Sequence, residues 1–211
     1  MASPPPRPVR MPATDRRAQL LDIALNLFSE KGFDRTTTKE VAAAAGVTEA
    51  IVFRHFATKQ ALYQAVLDRQ SESPAFRKWL DEARQRMAEN DDAGLFGAIA
   101  EAVLEAYRSD PRMERLLLFA ALEGQQTALN HYLSFTIPIY ELLRDYIVRR
   151  QRDAALLAFK PEAILSAIAG MAQRYALSTR LFGFPSELSD EEAVESFTRI
   201  LMDGIKPRSQ K

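Results

Sequence analysis

The sequence predicts an all-α protein with a small helix-turn-helix head at its N-terminus and a larger helical body behind it. Three observations carry this expectation. Apolar residues recur at three- and four-residue steps through most of the 211 residues. Strand patterns are scarce. Glycines, prolines and capping residues punctuate the helical stretches. The expected division is an extended or disordered arm over 1–13, a three-helix head over 14–73, a body over 74–206 and a loose tail over 207–211.

The arm is proline-rich and carries Arg7 and Arg10. The first helix is expected at about 14–31, where Leu20, Leu21, Ala24, Leu27 and Phe28 form one apolar face. Gly32 sits where a left-handed residue can end it, and Phe33 returns the chain to the core. Thr37-x-x-Glu40 has the form of a capping box, so a second helix of about nine residues is expected from Thr37. Gly46 suits the positive φ of a tight turn. Thr48 is the expected N-cap of the third helix, and Thr58 that of a fourth over about 59–72. Pro74 marks a change of module. Further helices are expected at about 75–89, 93–108, 112–125, 128–153, 161–182 and 190–205. Pro138 falls inside the 128–153 pattern and predicts a kink there.

Composition bounds the function. Apolar residues make up 47% of the chain, enough for a substantial core, and cysteine is absent, which removes disulfides and thiolate chemistry. The N-terminal segment has no apolar signal-peptide region, and no run reaches the roughly 18 apolar residues of a membrane span. A cytoplasmic protein with no membrane partner is expected. The chain has 28 Lys and Arg against 28 Asp and Glu, yet residues 1–70 carry a net charge of +3 and the remainder −3. A basic head suits an anionic partner; ordinary scatter of charge explains the numbers equally well.

The most informative stretch is TTKEVAAAAGVTEAIVFRHF, residues 37–56. A capped helix, a glycine turn and a second short helix form the geometry that lays one helix in a major groove. The run Ala42-Ala43-Ala44-Ala45 would let the two helices approach closely, with Ile51 and Val52 packing beneath. Thr48, Glu49, Ala50, Phe53, Arg54 and His55 would form the exposed edge of the third helix. Thr37, Thr38 and Lys59 lie at helix starts, where side chains and free N–H groups hold phosphates. Capping alone would also explain Thr37, Thr48 and Thr58. Arg54 could instead pair with an acidic neighbour, His55 could be plain surface, and Phe56 reads as core. Arg16 and Arg17 could reach phosphate or the minor groove, or remain solvated.

Residues 16–70 resemble the N-terminal domain of TetR-family transcriptional regulators. LLDIALNLFSEKGF, TTTKEVAAAAGVT and IVFRHFATKQALYQAVL carry the resemblance as an ordered set. It implies a homodimeric all-α protein that binds a palindromic double-stranded DNA operator and is released from it by a small-molecule effector. It places Thr48, Glu49, Ala50, Phe53, Arg54 and His55 on the groove-facing edge, Thr37 and Thr38 against the backbone, and Lys59 on a phosphate. Glu49 stands where the family often has a basic or small polar residue; a carboxylate repels phosphate but can accept from cytosine N4. Ala50 replaces a frequent glycine. Phe53 replaces a frequent tyrosine and leaves an apolar contact such as a thymine methyl.

The body is expected to bind ligand and to dimerise. Phe96, Phe119, Glu123, Gln126, His131 and Phe135 are the ligand-binding candidates, with Trp79, Tyr107 and Tyr140 as further aromatics. Aromatic residues at helical spacing are also ordinary core. The run LEGQQTALNHYLSF is more telling, since Gln125, Gln126, Asn130 and His131 interrupt an apolar pattern and buried polar groups need partners. A ligand is one such partner; exposure on an outer face is the other reading. Segments 161–182 and 190–205 combine apolar residues such as Ile164, Ile168, Phe197 and Ile200 with small ones such as Ala163, Ala167 and Gly170. A two-fold four-helix interface would cover them, with intramolecular core as the alternative. No metal or cofactor is expected. The two histidines, His55 and His131, lie far apart, and neither HExxH nor a phosphate-binding G-x-x-x-x-G-K-[ST] loop is present, so an enzyme is not expected. A helical interaction or ligand-binding protein without operator binding is the competing class.

Overall fold

The structure, a computed structural model, describes residues 12–71 and 74–207; the side chains of residues 70 and 71 lie outside this description. The arm assigned to 1–13 and the tail from 207 fall almost wholly outside the described residues. Among the described residues ten α-helices follow one another: α1 Ala13–Lys31, α2 Thr38–Ala44, α3 Glu49–His55, α4 Lys59–Ser71, α5 Pro74–Glu89, α6 Asp92–Ser109, α7 Arg112–Glu123, α8 Gln126–Arg152, α9 Pro161–Ala176 and α10 Asp190–Ile205. No strand occurs among the described residues.

Local chemistry sets the helix ends. Thr37 and Glu40 form the expected capping box: Glu40 N–H donates to Thr37 Oγ1 at 3.2 Å, and Thr37 N–H donates to Glu40 Oε2 at 2.9 Å. Thr58 Oγ1 accepts from Ala61 N–H at 3.0 Å. Thr48 occupies the N-cap position of α3, but its side chain makes no capping bond. Helix α2 has seven residues, because Ala45 already serves as its C-cap and Gly46 follows at φ +65°. Helix α7 stops at Glu123 because Gly124 turns left-handed at φ +66°. Helix α8 continues through Pro138, and α10 begins with a second capping box, Ser189 with Glu192. The helix expected over 161–182 is α-helical only to Ala176; residues Leu177–Leu181 form a π turn, with Phe182 N–H donating to Leu177 O at 3.0 Å.

Two apolar cores result, and they do not follow chain order. The first joins α1–α4 around Leu25, Phe28, Val41, Val52 and Tyr63, and it takes in Leu116 and Ala120 of α7 and Ala128 of α8. The second lies among α5, α6, α8, α9 and α10, around Leu95, Phe96, Tyr146, Ile147 and Ile168. Helix α7 therefore packs against the head although it belongs by position to the body. The α9–α10 pair is also divided: Ile164 and Ile168 are buried in the body core, whereas Ile200 is 62% exposed and Ala163, Ala167 and Gly170 face outward. The inner faces thus follow the intramolecular alternative, and only the outer faces remain open to a second chain.

Candidate nucleic-acid interface

Helices α2 and α3 meet over a tight turn in which Val47 N–H donates to Ala42 O at 3.0 Å and Gly46 N–H to Ala43 O at 3.1 Å. Ala42 and Ala45 are buried in this crossing, while Ala43 and Ala44 face water, so half of the alanine run makes the close approach. Val52 and Phe56 anchor α3 in the core. On the opposite side Thr48, Ala50, Phe53 and Arg54 are exposed, Phe53 to 45%, and Glu49 and His55 are half-buried. Phe53 is not among the residues that pack against the head core. Arg54 makes no ion pair among the described residues; Arg35 and Lys39, on either side of Thr37 in sequence, are exposed as well. Arg35 precedes the TTTKE cap and Lys39 lies within it, and neither carries a local signal beyond its charge.

Several expected contact residues are already engaged. Thr37 Oγ1 also donates to Glu40 Oε2 at 3.0 Å. Lys31 Nζ lies 2.8 Å from Glu40, and that ammonium, with the Thr37 N–H and hydroxyl, holds the Glu40 carboxyl down at about 2. Thr38 donates its hydroxyl to Glu49 Oε1 at 2.5 Å, which ties the start of α2 to the start of α3. Glu49 therefore braces the two helices through one of its carboxylate oxygens. Lys59 Nζ sits 4.2 Å from the Phe33 ring centroid and 3.4 Å from Asp34 O. Arg17 lies over the Phe56 ring at 5.1 Å, and Arg16 reaches Ala45 O at 3.5 Å. Both arginines thus brace the head as well as adding positive charge to it.

The ligand-binding candidates fall in different settings. Phe96 is fully buried in the body core, Phe119 is half-buried on α7, and Phe135 packs against Phe76 with ring centroids 4.3 Å apart. Gln126 is exposed at the start of α8. Glu123 turns toward the head: its Oε2 accepts from Phe33 N–H at 2.9 Å, and its carboxylate fills the space where a Cβ on Gly32 would lie. Gly32 has φ +82°, so a side chain there would be strained as well as blocked. His131 also faces the head, with Nδ1 3.3 Å from Gln64 Nε2 and 3.6 Å from Asp68 Oδ1. Gln125 donates to Asp34 Oδ1 at 3.2 Å, and Gln60 donates to Thr127 Oγ1 at 2.6 Å. Arg115 Nε donates to Ser29 O at 3.2 Å, and Arg112 pairs with Asp22 at 3.0 Å.

The polar run at the α7–α8 turn is thus a seam that fastens the head to the body. Its partners lie up to 91 residues away in sequence, so no local pattern announced them. Two open cavities, of about 390 and 590 Å³, lie beside the π turn and the segment that follows it; Tyr175, Thr179 and Phe184 line both.

Comparison with known proteins agrees with this geometry. Residues 20–66 match the model of the bacterial regulatory proteins of the tetR family. The chain is 29% identical over 125 residues to the nucleoid occlusion factor SlmA of Haemophilus ducreyi, a match that covers 57% of this chain and spans 60% of that protein. It is 28% identical over 181 residues to the HTH-type transcriptional regulator TtgR of Pseudomonas putida, covering 86% of this chain and 74% of TtgR. The fold matches NalD, the secondary repressor of the MexAB-OprM multidrug efflux pump in Pseudomonas aeruginosa, with a TM-score of 0.67 at 21% identity over 94% of this chain and 99% of that one. It also matches AibR, solved in complex with isovaleryl coenzyme A and operator DNA, with a TM-score of 0.65 at 15% identity over 89% of this chain and 98% of that one. The helix-turn-helix head with its outward third helix is thus the part of this chain that matches the tetR family of bacterial regulatory proteins, and the all-α fold as a whole is shared with TetR-family repressors.

Proposed function

We propose that this protein is a cytoplasmic, homodimeric transcriptional repressor that binds a palindromic operator and leaves it when a small-molecule effector occupies the body. The exposed edge of α3 carries the reading: Phe53 and Arg54 stand in water on a helix whose opposite side is locked into the core. In this reading residues 14–73 are the DNA-binding unit and 74–206 the ligand-binding and dimerisation unit. Ala50, Phe53, Arg54 and His55 meet base edges, while Thr37, Thr48, Lys39 and Lys59 meet the phosphate backbone. Thr38 and Glu49 act through the brace between them. The outer faces of α9 and α10, with Ile200 exposed, would meet a second copy. The chemistry is binding, with no reaction assigned.

The seam gives the body a mechanical hold on the head. An effector that shifts α7 or the start of α8 acts on Phe33 and Asp34, which lie between α1 and α2, and on Gln60 and Gln64 of α4. Coupling requires only that this shift differ between the bound and free states. Selection of binding sites from random duplex DNA tests the proposal. The expected outcome is enrichment of a palindromic site whose affinity falls steeply with salt. Absence of any salt-sensitive selection removes the regulator reading.

A further inference from the structure

Three arginines line the two cavities beside the π turn, and two of them are matched to carboxylates. Arg180 lies 2.7 Å from Asp190, and Arg108 reaches the same carboxylate at 3.6 Å and Glu101 at 3.4 Å. Both line the smaller cavity, of about 390 Å³, so its cations are already met within the chain. Arg174 lines the larger one, of about 590 Å³, and makes no ion pair among the described residues. Its guanidinium bonds instead to the Ser178 hydroxyl, which in turn donates to Arg174 O at 2.7 Å.

The local backbone builds this larger cavity. Helix α9 gives way to the π turn at Leu177, and Phe184 N–H then donates to Ser178 O at 2.9 Å, which folds the chain back over the helix end. Gly183, at φ +68°, allows that reversal without strain. It brings Phe184 and Pro185 into one cavity with Met171 and Tyr175 of α9 and Phe197 of α10. Tyr175 is held from two directions: its ring meets Phe197 edge-on with centroids 5.9 Å apart, and its hydroxyl donates to Leu188 O at 2.6 Å. With the hydroxyl committed to the backbone, the ring is what Tyr175 adds to the wall. Phe184 is 58% exposed, so this part of the aromatic wall still lacks an apolar neighbour.

The cavity thus joins an aromatic and aliphatic wall to one cation without a counter-charge. Its volume suits a small molecule, for which sites run to about 300–1,000 Å³. A planar guanidinium takes a carboxylate in a two-bond fork, and that charge-assisted pair is stronger than a bond to a neutral hydroxyl. A cationic ligand would meet like charge there, and a neutral one would leave the guanidinium unmatched. We propose that this cavity binds an organic acid, its carboxylate on Arg174 and its apolar skeleton against Met171, Tyr175, Phe184 and Phe197. The site goes beyond the operator reading and does not depend on it, since binding here is measured without DNA. The cavity includes Gly170, on the outward side of α9, so a second copy of the chain is the competing occupant. The unmatched charge within an apolar wall favours the acid.

Three probes with one skeleton test it: 4-phenylbutyrate, 4-phenylbutyramide and 4-phenylbutylamine, titrated calorimetrically into the full-length protein, Arg174→Gln and Phe184→Ser. The acid is expected to bind the unaltered protein about tenfold or more tighter than the amide, with the amine weakest. Arg174→Gln should erase the preference for the acid. Phe184→Ser should keep the preference but weaken the acid by about threefold to tenfold, because part of the apolar wall is gone. Both side chains are exposed, so the fold should survive either change. Sedimentation velocity on the same samples reads the oligomeric state. Equal binding of acid and amide, no acid binding at millimolar concentration, or a preference that survives in Arg174→Gln each overturns the proposal. So does an acid affinity untouched by Phe184→Ser. Loss of self-association in either variant, with acid affinity unchanged, would seat a second copy in the cavity and overturn it too. Selection of operator DNA is a separate measurement, and its failure leaves the acid site standing.

Discussion

Two polar helix ends in this molecule look alike in sequence and behave in opposite ways. The start of α3, Thr48 to His55, and the turn from α7 into α8, Glu123 to His131, both place polar side chains beside a left-handed glycine. At the first, Ala50, Phe53 and Arg54 face water. At the second, Glu123, Gln125, Thr127 and His131 are taken up by the head. The lesson is that a polar interruption of an apolar helix marks an unmet bonding need without saying who meets it. For the α3 edge the proposed answer is DNA; for the α7–α8 turn it is another part of the same chain.

The contrast can be broken most severely at the shared core. Leu116→Ala removes a buried side chain that belongs to the body by position and to the head by packing. It should cost about 2–5 kcal/mol in denaturant unfolding, and DNA affinity should fall as well if the seam supports the reading head. A variant that unfolds normally would mean α7 is not part of the head core. Arg54→Ala should do the reverse, weakening operator binding by about 1–3 kcal/mol in titrations if Arg54 reads guanine, while the unfolding midpoint stays within experimental scatter. Glu123→Gln lies between the two. It weakens the bond to Phe33 N–H by removing the acceptor charge, with an expected cost of about 1 kcal/mol and a change in effector response measurable as a shift in the ligand concentration that releases DNA.

Glu114 gives a pH signature. Its folded-state carboxyl titrates above the unfolded one, because burial disfavours the charge. Between those two values the native state holds more protons than the unfolded chain, so stability falls as pH rises through that window and levels off above it. Glu114→Gln should remove this component: its unfolding midpoint should match the unaltered protein at low pH and exceed it at neutral pH. The smallest effect is expected at Glu49. Glu49→Gln keeps a hydrogen-bond acceptor for Thr38 and removes a negative charge from the proposed DNA-facing edge, so non-specific affinity at low salt should rise by about twofold to fivefold. A loss of affinity would instead make Glu49 a direct reader of the operator.

The helices, their caps and the helix-turn-helix were legible in the sequence because each is fixed by residues within a few positions: the three- and four-residue apolar steps of α1, Thr37 with Glu40, Thr58 ahead of α4, Gly46 in the turn. The same locality explains the legible edge of α3, since burying Val52 and Phe56 obliges Phe53 and Arg54 to point away. What required tertiary structure was every pairing over a long separation. Glu123, a ligand-binding candidate by sequence, meets Gly32 and Phe33 only because the chain brings α7 against the head. Glu49 meets Thr38 only because the α2–α3 crossing brings the two helix starts together. Glu114 did not stand out at all, because an acidic residue in a helix's first turn is ordinary, and only the tertiary packing half-buries it without an ion pair among the described residues.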